Sequence, residues 1–277
     1  MDTKDLSIII TTFKSEGKIH SCINSISKNI KILVIENSGN EKFKTDLETK
    51  YHNVKCILTG YNSGYASGNN LGLTNVKTKY ALVLNPDTLI EKDSIENFIS
   101  TAKKNPDFWL IGPINHQGKK IEIQSNQLIE VEDIKGFAIF FNLKKFKNNF
   151  FDNNYFLYFE EIDLCRRVKQ NNGKIYLDPR IKIHHDGSQS VNQDFKIELE
   201  KNRNWHWMWS TFYFHKKHKG FTLALMIIFP KMASAFLKVL FYSMVLNKTK
   251  KDIYLCRLSG IINSIKGKKS WYRPTLD

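Results

Sequence analysis

The chain has 277 residues, enough to bury a full hydrophobic core, and one large domain with an extension is the natural expectation. An apolar content of 42%, with 13% aromatic residues, excludes an intrinsically disordered protein. The 42 lysines and arginines outnumber the 27 aspartates and glutamates, and the net charge of +15 favours an anionic partner such as nucleic acid, anionic lipid or a phosphorylated small molecule.

The first third of the chain alternates predicted strands with predicted helices. The clearest strand is Tyr80–Leu84, because its apolar run stops at Asn85-Pro86-Asp87 and a proline cannot continue strand pairing. The alternation predicts an α/β fold with a mostly parallel sheet and right-handed crossovers. Strands are predicted over 6–12, 31–35, 54–58 and 80–84, and helices over 15–28, 43–51 and 70–76.

The second half of the chain is predicted to be less regular. A helix begins at Glu160 or Glu161 and ends at Gln170, before an Asn-Gly pair. From Trp205 onward the composition shifts to aromatic residues, lysines and a long apolar run, so we predict a first domain over 1–204 and a helical C-terminal region over 205–277. Short strands are predicted over 109–111, 120–124, 137–142, 174–177 and 181–185.

Polar clusters follow four of the predicted strands, and a fifth cluster begins a helix. In a parallel sheet the carboxyl ends of the strands line one edge, so the first three clusters are expected to converge on a nucleotide-binding crevice. A carboxylate at that edge can hold a divalent cation and, through it, a diphosphate. The clusters are Glu36-Asn37, residues 62–70, Asn85-Pro86-Asp87, His184-His185 and residues 160–163.

Each cluster also has a plain structural interpretation. Asn85-Pro86-Asp87 is typical of an ordinary turn, and residues 61–70 of a flexible connector. The acidic cluster at 160–163 suits a helix N-terminus, although the aromatic residues before it would raise a carboxyl pKa toward that of a general base. Strand alternation places His185 on the same face as the isoleucines at 181 and 183, where it can reach a metal ion, while His184 faces the other way.

Six segments in a fixed order resemble the family-2 inverting glycosyltransferases of the GT-A fold. They are SIIITTF, ENSG, YNSGYASGNN, LVLNPD, FLYFEEIDLCRR and HHDGSQS, and the resemblance covers about residues 5–220. It is strongest to the bacterial rhamnosyltransferase-type branch that builds surface polysaccharide. The resemblance implies a Rossmann-like GT-A domain that transfers a rhamnose-like sugar, with inversion, from a dTDP- or UDP-sugar to a saccharide or lipid-linked acceptor.

The resemblance also implies a role for each motif. Glu161 matches the catalytic base, with Asp163 as the alternative, and Asp87 and His185 match ligands of Mg²⁺ or Mn²⁺. Glutamate stands at 36 and 161 where the family usually has aspartate, so a catalytically weak scaffold of this fold is one alternative function. The residues expected to contact the nucleotide and donor are Thr11, Thr12, Phe13, Glu36, Asn37, Asn62, Gly64, Asn69, Asn70, Asn85 and Arg166.

The apolar run over 221–246 predicts a helix that binds a membrane surface. Its length permits a span, but Pro230, Lys231 and Lys238 lie inside it, and basic clusters flank it, which favours a helix lying against anionic lipid. The alternative is a packing hairpin or a homodimer surface. A nucleic-acid-binding protein is a further alternative, but lysines beside an apolar run suit lipid better than a phosphate backbone, so no nucleic acid is expected.

The expected location is the cytoplasm, with the protein peripheral on the inner face of the cell membrane. No signal-peptide pattern precedes the first predicted strand. The four cysteines have no metal-finger or redox spacing, and we interpret them as reduced thiols.

Overall fold

The computed structural model of the protein describes residues 3–114, 127–185 and 196–273. These residues form two compact units, one within Met1–Asp152 and Glu161–Ser190, the other within Asn153–Glu160 and Val191–Asp277. The strand predicted over 120–124 lies outside the described residues. The predicted domain boundary after residue 204 stays a prediction.

The first unit is built on a mixed sheet of eight strands in the order β3-β2-β1-β4-β8-β6-β9-β7. Neighbouring strands are parallel except where β8 and β7 pair with their neighbours. The predicted mostly parallel α/β sheet is therefore confirmed. The strands are β1 (Leu6–Thr12), β2 (Lys31–Glu36), β3 (Val54–Leu58), β4 (Tyr80–Leu84), β5 (Thr88–Ile90), β6 (Phe108–Pro113), β7 (Ile129–Glu130), β8 (Ala138–Asn142), β9 (Lys174–Asp178) and β10 (Ile183–His185).

Apolar strands at the centre of the sheet carry the core of this unit. Every residue of β4 is buried, and so is every residue of its neighbour β8, as expected for strands covered on both faces. Helices pack on the sheet, with α2 on β3, α3 on β1 and β2, and α4 on β9. The helices are α1 (Glu16–Asn24), α2 (Glu41–Lys50), α3 (Gly64–Asn75), α4 (Ser94–Lys104) and α5 (Glu160–Gln170).

Three elements of the first unit, β5, β7 and α4, are absent from the sequence-based prediction. β5 has only three residues and pairs antiparallel with β10 in a separate two-stranded sheet. α4 carried a readable signal, because its buried Ile95, Phe98, Ile99 and Ala102 recur at helical spacing. β5 matters most for function, since it follows the Asn-Pro-Asp turn directly.

Two glycines allow α3 to lie very close to β1. A Cβ added to Gly72 would lie 2.4 Å from Ile9 Cγ2, and one added to Gly68 would lie 2.5 Å from Thr11 Cγ2. Real Cβ atoms do not approach other atoms so closely, so larger residues would push the helix away from the strand. The predicted helix over 70–76 in fact begins six residues earlier, at Gly64.

The second unit contains three long helices and the segment 153–159. The helices are α6 (Lys196–Lys219), α7 (Phe221–Met244) and α8 (Lys248–Ile265). α6, α7 and α8 share an apolar core made of Met208, Phe212, Ala224, Ile228 and Ile261. α6 and α8 approach closely, since a Cβ on Gly260 would lie 2.3 Å from the Trp205 carbonyl oxygen. The predicted helical C-terminal region is confirmed.

α7 is unusual among the described helices because it is both long and apolar. Its length and composition would allow it to cross a membrane, and no other helix in the described ranges passes that test. Much of its apolar surface is exposed in the structure. The exposed apolar side chains of α7 are Phe221, Leu223, Met226, Phe229, Phe236, Leu237, Leu240, Phe241 and Met244.

Candidate active site

The Asn85-Pro86-Asp87 turn is held in place at the carboxyl end of β4. The Thr88 hydroxyl donates to the Asn85 carbonyl oxygen at 2.7 Å, and the Asn85 amide donates to the Phe137 carbonyl oxygen at 2.9 Å. The Cys22 thiol of α1 lies 3.5 Å from the Thr88 hydroxyl. The turn is therefore fixed on both sides, and the Asp87 carboxylate has a defined position.

The pairing of β5 with β10 brings His185 to Asp87. His185 is the register partner of Thr88, and its Nε2 lies 3.3 Å from Asp87 Oδ1 and 3.3 Å from Asn85 Nδ2. The imidazole stacks on the Phe137 ring, with 5.0 Å between ring centroids and planes 5° apart. The structure therefore brings together the two side chains predicted to bind a metal ion.

Charge and burial compete at Asp87. Burial alone would raise the pKa of the Asp87 carboxyl, but the hydrogen bond and the charge of His185 outweigh it and lower that pKa. The carboxylate is therefore ionised at neutral pH, as a metal ligand must be.

His184 faces away, is exposed and contacts Glu91.

The chemistry of this pair fits a hard divalent cation. Oxygen and imidazole ligands suit Mg²⁺ and Mn²⁺, and Mg²⁺ is commonly held by one or two protein side chains together with substrate phosphates. The described residues contain no group of three or more histidine, cysteine, aspartate or glutamate side chains placed to hold a metal. A cation held by Asp87 and His185 would thus keep coordination positions for a diphosphate.

Hydrogen bonds join the ends of β1 and β2 to the start of α3. The Thr11 hydroxyl donates to Asn69 Oδ1 at 2.8 Å. Asn37 Nδ2 donates to the Gly64 carbonyl oxygen at 3.1 Å, and the Gly64 amide lies 3.2 Å from Asn62 Oδ1. The structure therefore places these five predicted donor-site residues in one cluster at the carboxyl edge of the sheet.

Glu36 lies at the same edge, but its carboxylate already holds its own loop. It is 1% exposed, and it accepts hydrogen bonds from the backbone amides of Ser38 at 2.8 Å and Asn40 at 2.9 Å. The Ser38 hydroxyl donates to the same carboxylate. Glu36 thereby orders the turn between β2 and α2, and its contact with a nucleotide base stays a prediction.

The remaining predicted donor residues differ in how much they face solvent. Both amide atoms of Asn70 bond to the Phe151 backbone, at 2.8 and 2.9 Å, so Asn70 anchors a loop. Thr12 is buried, and its Oγ1 has no hydrogen-bond partner among the described residues. Phe13, at the end of β1, and Arg166, in α5, are both half-buried.

Glu161 and Asp163 occupy different environments in α5. Asp163 is fully buried and accepts a hydrogen bond from Arg167 Nε at 2.8 Å. Glu161 Oε2 is also buried, but it makes no hydrogen bond within the described residues. Burial raises the pKa of Glu161, while nearby backbone amides and Lys135 oppose the shift. Glu161 thus has the properties of a general base, and Asp163 those of a structural ion pair.

A short segment, Gly136-Phe137, connects the parts of the site and was not predicted to belong to it. The Tyr65 hydroxyl of α3 donates to the Gly136 carbonyl oxygen. A Cβ on Gly136 would lie 3.6 Å from the Glu161 Cβ, while Phe137 supports His185. Sequence alone marks Gly136 only as a loop, and Tyr65 only as part of the glycine-rich loop.

Residues 7–166, more than half of the chain, match the family model described as Glycosyl transferase family 2. The low-salt glycan biosynthesis hexosyltransferase Agl10 of Haloferax volcanii is 26% identical over 69% of this chain and 73% of its own length. The poly(ribitol-phosphate) beta-N-acetylglucosaminyltransferase TarP of Staphylococcus aureus is 28% identical over 54% of this chain, which spans about half, 51%, of that relative.

Solved structures of low sequence identity share the fold. The mannosyltransferase PcManGT of Pyrobaculum calidifontis, in complex with GDP-Man and Mn²⁺, matches 96% of this chain and 88% of its own, with a TM-score of 0.58 and 11% identity. GalNAc-T7, with UDP, GalNAc and Mn²⁺, matches 77% of this chain and 50% of its own, with a TM-score of 0.56 and 11% identity. Both likenesses support the GT-A fold.

Proposed function

The chain belongs to glycosyl transferase family 2, and we propose that it is an inverting, metal-dependent hexosyltransferase. One observation carries the proposal. The Asp87 carboxylate and the His185 imidazole meet 3.3 Å apart at the carboxyl edge of a parallel sheet. Ligands bind at this edge in open α/β folds, and this pair can hold the cation that a nucleotide diphosphate requires.

The proposed reaction is a single displacement. Glu161 accepts the proton of an acceptor hydroxyl as that oxygen attacks the anomeric carbon of the donor. The new glycosidic bond forms as the bond between the anomeric carbon and the diphosphate oxygen breaks, so the configuration inverts and the nucleotide diphosphate leaves. Asp87 and His185 would hold Mg²⁺ or Mn²⁺, which offsets the negative charge of the leaving group.

The donor is proposed to be a dTDP- or UDP-sugar with a rhamnose-like hexose, as the motifs imply. The half-buried Thr11, Phe13 and Asn62 would face the nucleotide, supported from behind by the buried Asn37 and Asn69. Relatives that act in glycan and teichoic acid synthesis support an acceptor that is part of a surface polysaccharide.

A panel of nucleotide sugars tests this proposal. Purified protein should hydrolyse at least one dTDP- or UDP-hexose slowly in water when Mn²⁺ or Mg²⁺ is present, and EDTA should stop the reaction. Release of dTDP or UDP is the measurement. Donor hydrolysis that persists in EDTA would overturn the metal dependence, and no hydrolysis of any donor with either metal would favour the catalytically weak scaffold.

The acceptor is proposed to be saccharide or lipid-linked, with the enzyme bound to the cytoplasmic face of the membrane through α7. Most of the exposed apolar residues of α7 have another one three or four positions away, so they form one broad face of the helix. Lys231 and Lys238 lie beside this face, and Lys248, Lys250 and Lys251 follow the helix. An apolar face bordered by lysines suits the surface of an anionic bilayer.

A homodimer is the competing role for the same surface. An exposed apolar face of this extent marks an interaction site of some kind, and a second copy of the chain would cover it as well as lipid would. Lysines beside and beyond the face favour lipid, because like charges oppose each other across a symmetric interface.

A further inference from the structure

The second unit contains an open pocket that the proposed chemistry does not use. Five residues line it, and we call it the arginine pocket: Tyr158, Arg203, Asn204, Trp207 and Arg257. Its volume is about 330 Å³. The pocket is formed by the segment before α5 together with α6 and α8.

Neither guanidinium group of the arginine pocket makes an ion pair with a carboxylate in the described residues, although the charge of Glu160 acts on Tyr158. No hydrogen bond or ion pair of the Arg203 guanidinium is found within the described residues, and its positive charge acts on the Tyr158 phenol. Arg257 Nη1 donates to Asn204 Oδ1 at 2.9 Å, and its Nη2 lies 3.4 Å from the Met208 sulfur, a weak acceptor. Two guanidinium groups that keep unused donors are the arrangement that recognises phosphate oxygens.

Aromatic rings form the rest of the wall. Trp207 is 42% exposed although α6 buries most of its other large side chains, and its ring meets Tyr158 edge-on at 5.2 Å between centroids. Burial raises the pKa of the Tyr158 phenol, so it stays protonated at neutral pH and can donate a hydrogen bond. An exposed indole offers the flat apolar surface that the apolar face of a sugar ring packs against.

Backbone strain marks the segment that brings Tyr158 to the pocket. Tyr158 and Phe159 both have a φ of 70°, in the left-handed region that bulky residues rarely adopt. Their rings pack on Trp207, and Phe159 also packs on Phe214 at 5.3 Å between centroids. Strained backbone that surrounding packing holds in place is common at ligand sites.

We propose that the arginine pocket binds a phosphate ester of the acceptor, with the adjoining sugar against Trp207. The inference rests on the proposed function and narrows its acceptor to a phosphorylated glycan or a phosphate-linked lipid. In the sequence, Tyr158 precedes the proposed base Glu161 by three residues. A pocket for a lipid headgroup alone would not need an exposed indole beside the two guanidinium groups.

Binding of a soluble sugar phosphate tests this proposal without catalysis. Glucose 1-phosphate is titrated calorimetrically into the full-length protein in EDTA, which removes metal-dependent binding at the donor site. Methyl glucoside serves as the uncharged comparison. Glucose 1-phosphate should bind and methyl glucoside should not, and the affinity should fall as salt rises. Arg203→Gln/Arg257→Gln should weaken binding by about tenfold or more.

Matched variants separate a specific site from general charge. Lys266→Gln/Lys269→Gln removes the same charge from exposed lysines of the same unit and should leave the affinity unchanged. Arg203→Lys/Arg257→Lys keeps the charge but loses the planar donors, so it should recover only part of the affinity. Trp207→Ala should weaken binding of glucose 1-phosphate more than binding of inorganic phosphate. Equal losses in both double glutamine variants would overturn the proposal.

Vesicle binding distinguishes the two sources of a phosphate ester. If the arginine variant keeps the affinity of the wild type for glucose 1-phosphate but loses binding to phosphatidylglycerol vesicles, the pocket holds a lipid headgroup and the acceptor proposal is wrong. The proposed function can fail independently of the pocket. In that case the wild-type protein hydrolyses no nucleotide sugar but still binds glucose 1-phosphate in the pocket.

Discussion

At the scale of single residues, the two carboxylates of α5 illustrate how surroundings decide chemistry. Glu161 has a buried oxygen without a hydrogen-bond partner among the described residues, and burial raises its pKa. Asp163 is bound to Arg167, which also donates to the backbone carbonyls of Asn149 and Phe150. One carboxylate is available to take a proton, and the other holds a loop.

Substitutions at these two positions should therefore fail in different ways. Glu161→Gln keeps the size of the side chain and removes its basicity, so kcat should fall by roughly 10²–10⁴ while the donor Kd stays unchanged. Asp163→Asn should cost about 1.5–3 kcal/mol of stability, because it weakens a charge-assisted hydrogen bond. Transfer rates and thermal unfolding are the measurements. A dead Asp163→Asn with normal stability, beside an active Glu161→Gln, would reverse the assignment.

The raised pKa of Glu161 also predicts how stability depends on pH. The folded protein holds this proton more tightly than the unfolded chain, so stability falls as pH rises from the ordinary value of 4.5 through the raised value. A glutamine side chain does not ionise, so the variant does not lose stability in this way as the pH rises. Glu161→Gln should therefore unfold at a higher temperature than wild type at neutral pH, and the difference should vanish below about pH 4. A constant difference across that range would contradict the buried, ionised base.

The proposed metal ligands Asp87 and His185 can be tested by substitution, with the adjacent residue His184 as the control. Asp87→Asn and His185→Ala should each weaken Mn²⁺-dependent UDP binding by about tenfold or more, because each removes a proposed metal ligand. His184→Ala, one residue away and exposed, should leave binding as in wild type. Calorimetry with and without EDTA measures the metal-dependent part. Equal effects of the two histidine variants would exclude a specific role for His185.

At the scale of secondary structure elements, two helical glycines, Gly72 and Gly17, should respond in opposite ways to substitution by alanine. The reason is that α3, which contains Gly72, lies very close to β1. Gly72→Ala places a methyl group 2.4 Å from Ile9 Cγ2, and such overpacking should cost about 1–3 kcal/mol. Gly17→Ala, in α1, meets no atom within 4 Å and should stabilise the protein by about 0.5–1 kcal/mol. Denaturant unfolding measures both, and a shift of the same sign in the two variants would contradict this packing.

Local sequence signals predicted the elements that depend on local patterns. The buried run of β4, the β-branched run of β1 and the helical spacing of α1 are readable because burial on a sheet or helix imposes a fixed period. The polar residues at the strand ends could be placed at one edge for the same reason. Strand alternation likewise predicted that His184 and His185 face opposite ways.

Features that depend on long-range pairing were beyond such signals. β5 is three residues long, and only its pairing with β10 makes it a strand. The role of Gly136-Phe137 depends on Tyr65 and His185, both distant in sequence. Motif spacing identified Glu161 and Asp163 together, but the partner that distinguishes them, Arg167, becomes visible only in the folded chain.

At the scale of the whole molecule, the surface of α7 predicts reversible membrane attachment. Full-length protein should float with phosphatidylglycerol vesicles, bind neutral vesicles weakly and be released in part by high salt or carbonate. Leu237→Glu/Leu240→Glu should reduce binding by at least about tenfold, because each leucine contributes about 1.5–3 kcal/mol when buried in the bilayer. Flotation in a density gradient is the measurement.

A control variant with the same added charge outside α7 distinguishes loss of the apolar face from a general effect of negative charge. Ile129→Glu/Ile197→Glu alters two exposed isoleucines outside α7, 43% and 47% exposed, and should keep most of the binding. Resistance of the wild type to both salt and carbonate would favour a true membrane span. If the protein binds no vesicles and is a dimer in solution, the apolar face of α7 is instead an interface with a second copy of the chain.

The pairing of β5 with β10 also affects how the protein folds and how it resists proteolysis. Asn85 and His185 are 100 residues apart in sequence, so their contact closes a very long loop and is expected to form late in folding. Two three-residue strands can also separate without unfolding the main sheet. A bound nucleotide and metal would oppose that separation by mass action. The supply of donor sugar would therefore set how long this part of the protein resists proteolysis.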